Sequence, residues 1–242
     1  MGHATQIAHA PMRSGRWSSL KPEEHVVNTP SAAQLTAHKL FARARIVPVI
    51  SVDDPDIGVA LARALIAGGL PLIEMTLRSA NALAVIRAIA RDAAGATLGV
   101  GTVLSEENAK AALDAGAQFL VSPGMTPALA RCAVASPVPF LPGAATVSEA
   151  MSLRELGFRT LKFFPAESSG GVAALKAFHP VLPDLAFCPT GGIDAARAPA
   201  YLALANVAGL GGSWIAPAAL IKAGDFETIK QLAFVAAALG KV

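Results

Sequence analysis

Residues 97–121 read TLGVGTVLSEENAKAALDAGAQFLV, and this stretch holds the unit from which the chain is built. Thr97–Val100 is a short apolar run of strand character. Ser105 stands directly before Glu106 and Glu107, a hydroxyl N-cap followed by acids in the first helical turn. An Ala/Leu-rich helical pattern follows, and Gly116 ends it as C-cap glycines do. Gln118–Val121 then opens the next apolar run.

The same rhythm runs from residue 46 to the C-terminus. Apolar runs fall at Ile46–Ile50, Leu72–Met75, Thr97–Val100, Gln118–Val121, Pro139–Leu141, Thr160–Phe164, Leu185–Cys188 and Val207–Leu210. Helical patterns start near Pro55, Ala80, Glu106, Thr126, Val147, Gly171, Ala195 and Pro217. A further helix is expected near Phe226–Leu239, and another, Gln34–Arg43, precedes the first strand. Thr146 with Glu149 offers a second hydroxyl cap, and Asp194 is placed to open the helix after Gly191-Gly192. Eight β-then-α units predict a parallel sheet, and eight close naturally into a (β/α)8 TIM barrel of the α/β class. An open doubly wound sheet is the rival. Gly99-Val100-Gly101 is followed by Thr102-Val103-Leu104, so the third glycine of a dinucleotide fingerprint is missing.

The bulk numbers agree with one large core. The 242 residues are 53% hydrophobic and 15% charged, which argues against disorder. A net charge of +3, with no Lys/Arg-rich run, argues against a nucleic-acid partner. No apolar run reaches the roughly 20 residues of a membrane span. The two cysteines, Cys132 and Cys188, have neither C-x-x-C nor metal-ligand spacing, so a reducing cytoplasm is the expected compartment. Residues 1–32 carry His3, His9 and His25 without helix or strand period and read as a weakly ordered extension. Residues 33–242 read as a single barrel domain.

Strands buried on both faces should be apolar throughout. Two of these runs break that rule. Glu74 sits inside Leu72-Ile73-Glu74-Met75, and Lys162 inside Thr160-Leu161-Lys162-Phe163-Phe164. Every other Lys and every other acid falls in a helical pattern, a loop, a terminus or the extension. A buried unpaired charge costs several kcal/mol. The two are therefore either a structural ion pair or a catalytic pair at the carboxyl ends of the strands, where barrel active sites form. An amine attacks a carbonyl only when neutral. Burial in an apolar strand favours that form, and a neighbouring carboxylate opposes it. The carboxylate can in turn move protons beside the carbonyl carbon. Arg78 follows the second strand, four residues past Glu74, where its guanidinium suits a substrate carboxylate.

Two late segments resemble a phosphate cradle. Pro189-Thr190-Gly191-Gly192-Ile193-Asp194 follows the seventh run, and Gly209-Leu210-Gly211-Gly212-Ser213-Trp214 follows the eighth. Barrels frequently bind phosphate with the loops after strands seven and eight. Elsewhere Cys188 reads as a small buried hydrophobe, Glu167 as a loop acid and Gly170-Gly171 as a helix cap, while Trp214 could line the site or fill core. His, Cys, Asp and Glu show no metal-ligand spacing, so no metal is expected.

With these residues in view, the sequence resembles the 2-keto-3-deoxy-6-phosphogluconate (KDPG) and 4-hydroxy-2-oxoglutarate (KHG) aldolase family. The resemblance covers the chain from about Ile46 onward. It is carried by Ile46–Ile50, Glu74-Met75-Thr76-Leu77-Arg78, Gly99–Leu104 and Ser122-Pro123-Gly124. It continues through Leu161–Glu167, Cys188–Ile193 and Gly211–Trp214. A galactonate-specific branch usually carries Pro and Asn where this chain has Thr76 and Arg78, so those residues favour the gluconate branch.

The resemblance implies a cofactor-free class I aldolase, usually a homotrimer, acting on a small 2-oxo acid phosphosugar. It makes Lys162 the imine-forming residue and Glu74 the general acid/base. Arg78 and Thr102 would hold the carboxylate region, with Pro123 shaping the pocket and Phe164 lining it. Thr190 would contact the substrate, and Gly191, Gly192, Gly212 and Ser213 would bind the phosphate end. Two alternatives are a phosphate-binding barrel isomerase or epimerase using the same Glu/Lys pair without an imine, and a non-enzymatic phosphosugar-binding barrel.

Overall fold

The computed structural model describes residues 29–240. Most of the expected extension, residues 1–32, lies outside that range. Helix α1 (Ala32–Ala44) opens on a capping box. Ser31 accepts from the Gln34 backbone N–H, and the Gln34 side chain accepts from that of Ser31.

Strands and helices then alternate: β1 (Ile46–Ile50), α2 (Pro55–Ala67), β2 (Leu72–Thr76), α3 (Ala82–Asp92), β3 (Thr97–Gly101), α4 (Glu106–Asp114), β4 (Phe119–Val121) and α5 (Pro127–Val134). The fifth barrel strand is split into β5 (Phe140–Leu141) and β6 (Gly143–Ala144). After it come α6 (Val147–Glu155), β7 (Thr160–Phe163), a 3-10 turn (Glu167–Ser169), α7 (Gly171–Phe178), β8 (Ala186–Pro189), α8 (Ala198–Leu202), β9 (Leu210–Gly212), α9 (Ala218–Ala223) and α10 (Phe226–Leu239). Among the described residues, no helix is long and apolar enough to cross a membrane.

Every ladder is parallel. One sheet runs β5-β4-β3-β2-β1-β9 and the other β6-β7-β8. Pro142, which has no N–H, separates β5 from β6, yet its carbonyl still accepts from Lys162 N at 2.8 Å. At the second seam β8 meets the last strand through two single bridges, Phe187 with Val207 and Thr190 with Gly211. Eight strand positions thus curl into a TIM-type barrel whose closure is thinner at these two places.

Alternation along the strands divides two cores. Ile73 and Met75 of β2, Leu120 of β4, Leu161 and Phe163 of β7 and Phe187 of β8 pack outward against the helices. Leu72, Phe119, Val121, Leu141 and Cys188 belong to a separate inner cluster, closed at its base by Phe41 of α1. Phe41 and Phe119 meet edge to face at 5.5 Å. Gly99 makes that possible, because a Cβ there would lie 2.0 Å from the Phe119 ring. The same period turns Glu74 and Lys162 inward.

Besides the fifth run, expected at Pro139–Leu141 and continued in β6, three sequence expectations shift. The last strand was expected at Val207–Leu210 and forms at Leu210–Gly212. Arg45 Nη1 donates to the carbonyls of Val207 (2.9 Å) and Ala208 (3.3 Å), so these are not used in a ladder with β1. Pairing with β1 begins only at Leu210, whose N–H donates to Arg45 O at 2.7 Å. Gly211 and Gly212 are therefore strand residues rather than loop residues after the strand. The helix expected near Ala195 is the short α8, starting at Ala198. Asp194 first accepts from Arg197 N at 2.9 Å and forms a turn, so no long helix opens directly at Gly191-Gly192. The helix expected near Ala80 begins at Ala82, because Asn81 N is held by Asp53 Oδ1 at 2.7 Å.

Candidate active site

Glu74 and Lys162 reach across the barrel from β2 and β7. Lys162 Nζ donates to Glu74 Oε1 at 3.1 Å, and both residues are almost wholly buried (2% and 3% exposed). Among the described residues these are the only charged side chains on strands. The pair is sited by its small neighbours. Gly101 on β3 lies beside Glu74, and a Cβ there would fall 2.0 Å from Glu74 Oε1. Gly143 is the register partner of Lys162. A Cβ on Gly143 would strike the Pro123 carbonyl at 2.3 Å, so its absence lets the Ser122-Pro123-Gly124 loop cross the barrel end. On the other flank, Cys188 is the register partner of Lys162. Burial pushes its thiol far above the usual range, so Cys188 packs as a neutral group.

Above the pair the strand ends open into a cavity of about 860 Å³. Phe164 links the two, since its ring centroid lies 5.3 Å from Lys162 Nζ and the residue also lines the cavity. Arg78, Thr102 and Pro123 line one part of it, and Thr190, Gly191, Gly192, Gly212 and Ser213 another. All nine residues expected to surround the substrate therefore share one cavity, with Glu74 and Lys162 buried below it.

Arg78 Nε donates to Thr102 Oγ1 at 3.3 Å, which ties the guanidinium to the end of β3. Thr102 holds φ +62°, a left-handed conformation that a β-branched residue rarely adopts. Strain of that kind concentrates at functional sites. Gly191 and Gly192 also have positive φ, +103° and +78°. Trp214, left open by the sequence, lines the cavity and lies over Gly212, where a Cβ would sit 1.6 Å from its ring.

Sequence reasoning missed Gly101 and Gly143 as parts of the site. A glycine inside a strand is the general signal of a close approach, but the expected strands end at Val100 and Leu141, short of both glycines. It also missed the surroundings of Glu167, read as a loop acid. Glu167 accepts from the buried Tyr201 hydroxyl and pairs with Arg197 at 3.2 Å. A second concavity, about 740 Å³ between α5 and α6, holds neither member of the buried pair, and its lining is mainly apolar. The residues expected to meet the substrate line the first.

Residues 38–232 match the family model described as Aldolase: KDPG and KHG aldolase. The chain belongs to the KDPG and KHG aldolase family. Within it, the KHG/KDPG aldolase of Escherichia coli K12 is 43% identical over 198 residues, covering 82% of this chain and 93% of the relative. The KDPG aldolase of Zymomonas mobilis ZM4, solved with 3-phosphoglycerate, superposes with a TM-score of 0.81 at 39% identity. That match covers 86% of this chain and 97% of the other. The KDPG aldolase of Legionella pneumophila, solved with pyruvate captured as a covalent carbinolamine, gives 0.80 at 38% identity over 82% and 96% of the two chains. A buried amine hydrogen-bonded to a carboxylate, beneath a cavity with a guanidinium on one side and glycine backbone on the other, matches the needs of imine aldol chemistry.

Proposed function

We propose that the chain cleaves 2-dehydro-3-deoxy-6-phosphogluconate to pyruvate and glyceraldehyde 3-phosphate through an imine on Lys162. The observation that carries this reading is the 3.1 Å contact between the buried Lys162 amine and Glu74. Lys162 passes a proton to Glu74 and attacks the C2 ketone. Glu74 returns that proton to the departing hydroxyl, and loss of water from the carbinolamine gives a protonated imine, which is an electron sink. Glu74, directly or through a water, takes the proton of the C4 hydroxyl as the C3–C4 bond breaks, and its electron pair moves into the imine as an enamine. Glyceraldehyde 3-phosphate leaves. The enamine is protonated at C3, and water releases pyruvate and the free amine. One carboxylate serves each proton step because the steps follow one another at one site.

Arg78 and Thr102 hold the substrate carboxylate, and Thr190 contacts the substrate chain. Pro123 and Phe164 shape and line the pocket. The backbone N–H groups of Gly191, Gly192, Gly212 and Ser213 take the phosphate, which glycine allows to approach closely. 4-Hydroxy-2-oxoglutarate, which shares the 2-oxo acid end, is cleaved to pyruvate and glyoxylate by the same steps. The reading includes a homotrimer, tested by light scattering for three times the mass of the chain. A cytoplasmic location is in keeping with the free thiols of Cys132 and Cys188.

Pyruvate with borohydride tests the chemistry. A covalent adduct on Lys162, and chelator-resistant turnover that is lost in Lys162→Ala, are expected. An adduct on another lysine would overturn the assignment. Turnover without any adduct would favour an isomerase-type acid and base, and ligand-dependent stabilisation without turnover would favour a binding barrel.

A further inference from the structure

Glu167 follows β7 and lies against the loop that follows β8. Its backbone N–H donates to Gly191 O at 3.1 Å, and Ala166 N donates to Thr190 O at 2.8 Å. Its side-chain stem fills the space that a Cβ on Gly192 would need, with Cγ 2.7 Å and Cβ 2.8 Å from that position. The charged end points elsewhere. Oε1 accepts from the Tyr201 hydroxyl, and Oε2 pairs with Arg197 Nε at 3.2 Å, while Arg197 also pairs with Asp194. Tyr201 is fully buried on α8. Burial and the Glu167 carboxylate raise its phenol above the usual range, so the hydroxyl remains a donor. Gly171 completes the fit, since a Cβ there would approach the Tyr201 hydroxyl at 3.1 Å.

A carboxylate beside an anion site repels the anion unless its charge is occupied elsewhere. Here the apolar stem touches the glycine loop, and both oxygens are engaged away from it. We propose that Glu167, held by Tyr201 and Arg197, is the positioning residue of the phosphate cradle, its stem fixing the Gly191-Gly192 backbone in the anion-binding conformation. The role rests on the aldolase reading above. Glu167 touches neither the imine nor the carboxylate end of the substrate, so its removal should be felt only where the phosphate binds.

The test compares KM and kcat for 2-dehydro-3-deoxy-6-phosphogluconate with the pyruvate concentration that half-saturates borohydride trapping, a step without phosphate. Glu167→Ala is expected to raise KM about tenfold, with kcat and pyruvate half-saturation within about twofold of wild type. Tyr201→Phe should shift KM in the same direction by a smaller factor. Glu167→Gln, which keeps the stem and an acceptor for Tyr201, should restore KM to within about threefold of wild type. KM and pyruvate half-saturation rising together would overturn the proposal in favour of a general structural role, as would a KM unchanged in Glu167→Ala. A wild type that traps no pyruvate would remove the aldolase reading itself, and this proposal with it.

Discussion

Gly101→Ala adds one methyl group to β3, changes neither Glu74 nor Lys162, and should disable proton transfer. The added Cβ would stand 2.0 Å from Glu74 Oε1, 2.7 Å from Cδ and 2.8 Å from Cγ. Ordinary contact begins near 3.4 Å, so the carboxylate must retreat by about 1.4 Å. The Lys162–Glu74 hydrogen bond is 3.1 Å long and has no such slack. A misplacement of about 1 Å costs on the order of 100-fold in rate, and loss of a general acid/base costs about 100- to 10,000-fold. A fall of at least about 100-fold in kcat is therefore expected, with overpacking costing roughly 1–3 kcal/mol of stability.

The steps can be read separately. Borohydride trapping with pyruvate reports the amine, and exchange of the pyruvate methyl protons in D2O, followed by NMR, reports the acid/base. Gly101→Ala should still trap pyruvate but exchange its protons at least about 100-fold more slowly. Adding Glu74→Asp removes one methylene and relieves the overlap. The double variant should regain thermal stability without regaining exchange, because the shorter acid no longer reaches its position. A folded Gly101→Ala enzyme that exchanges protons at the wild-type rate would refute the assignment of Glu74.

Two further outcomes test the surroundings of the site. Thr102→Gly relieves a left-handed backbone at φ +62° and should raise stability by roughly 1 kcal/mol in thermal melts. It also removes the hydroxyl that accepts from Arg78 Nε, so the pyruvate concentration needed for trapping should rise; a lower melting temperature would contradict the strain. At the start of α6, the N–H groups of Ala145 (2.8 Å) and Thr146 (2.9 Å), with the Thr146 hydroxyl, hold the Glu149 carboxyl below its ordinary value of 4.5. A lowered folded value means that this stabilisation is complete above the unfolded value and fades as pH falls through the folded one. Glu149→Gln should thus cost less than about 1 kcal/mol near neutral pH, because the charge is exposed and screened, and its urea midpoint should converge on that of wild type in acid; a pH-independent gap would contradict the cap.

Much of the fold was legible because several helix starts carry their own chemistry. Ser105 and Thr146 cap the helices expected of them, and Thr126 caps the helix expected to start near it, each accepting from a backbone N–H three residues on. The places where reading failed are those where a distant group claims the backbone. Nothing in Val207-Ala208-Gly209-Leu210 reveals that a guanidinium some 160 positions earlier in the chain takes two of its carbonyls. The same holds for β6. Gly143 and Ala144 have little strand propensity, and the ladder with β7 forms because Phe163 and its neighbours supply the packing.

The site was legible where a residue violated its surroundings and hidden where it agreed with them. Glu74 and Lys162 stand out because an ionised group on a doubly buried strand must be paired, and the pair had only each other to choose. Gly101 and Gly143 violate nothing in the sequence, since each falls just past the end of its expected strand. Their role is a volume left empty for the Glu74 carboxylate and for the Pro123 backbone, and a volume is a property of three elements brought together. Glu167 was hidden for a similar reason. As a loop acid it needs no partner, and only the fold brings Tyr201 and Arg197 to its oxygens and Gly192 to its stem. Charge in the wrong place marks the candidate site in this barrel, whereas the absence of side chains marks how its charged groups are held.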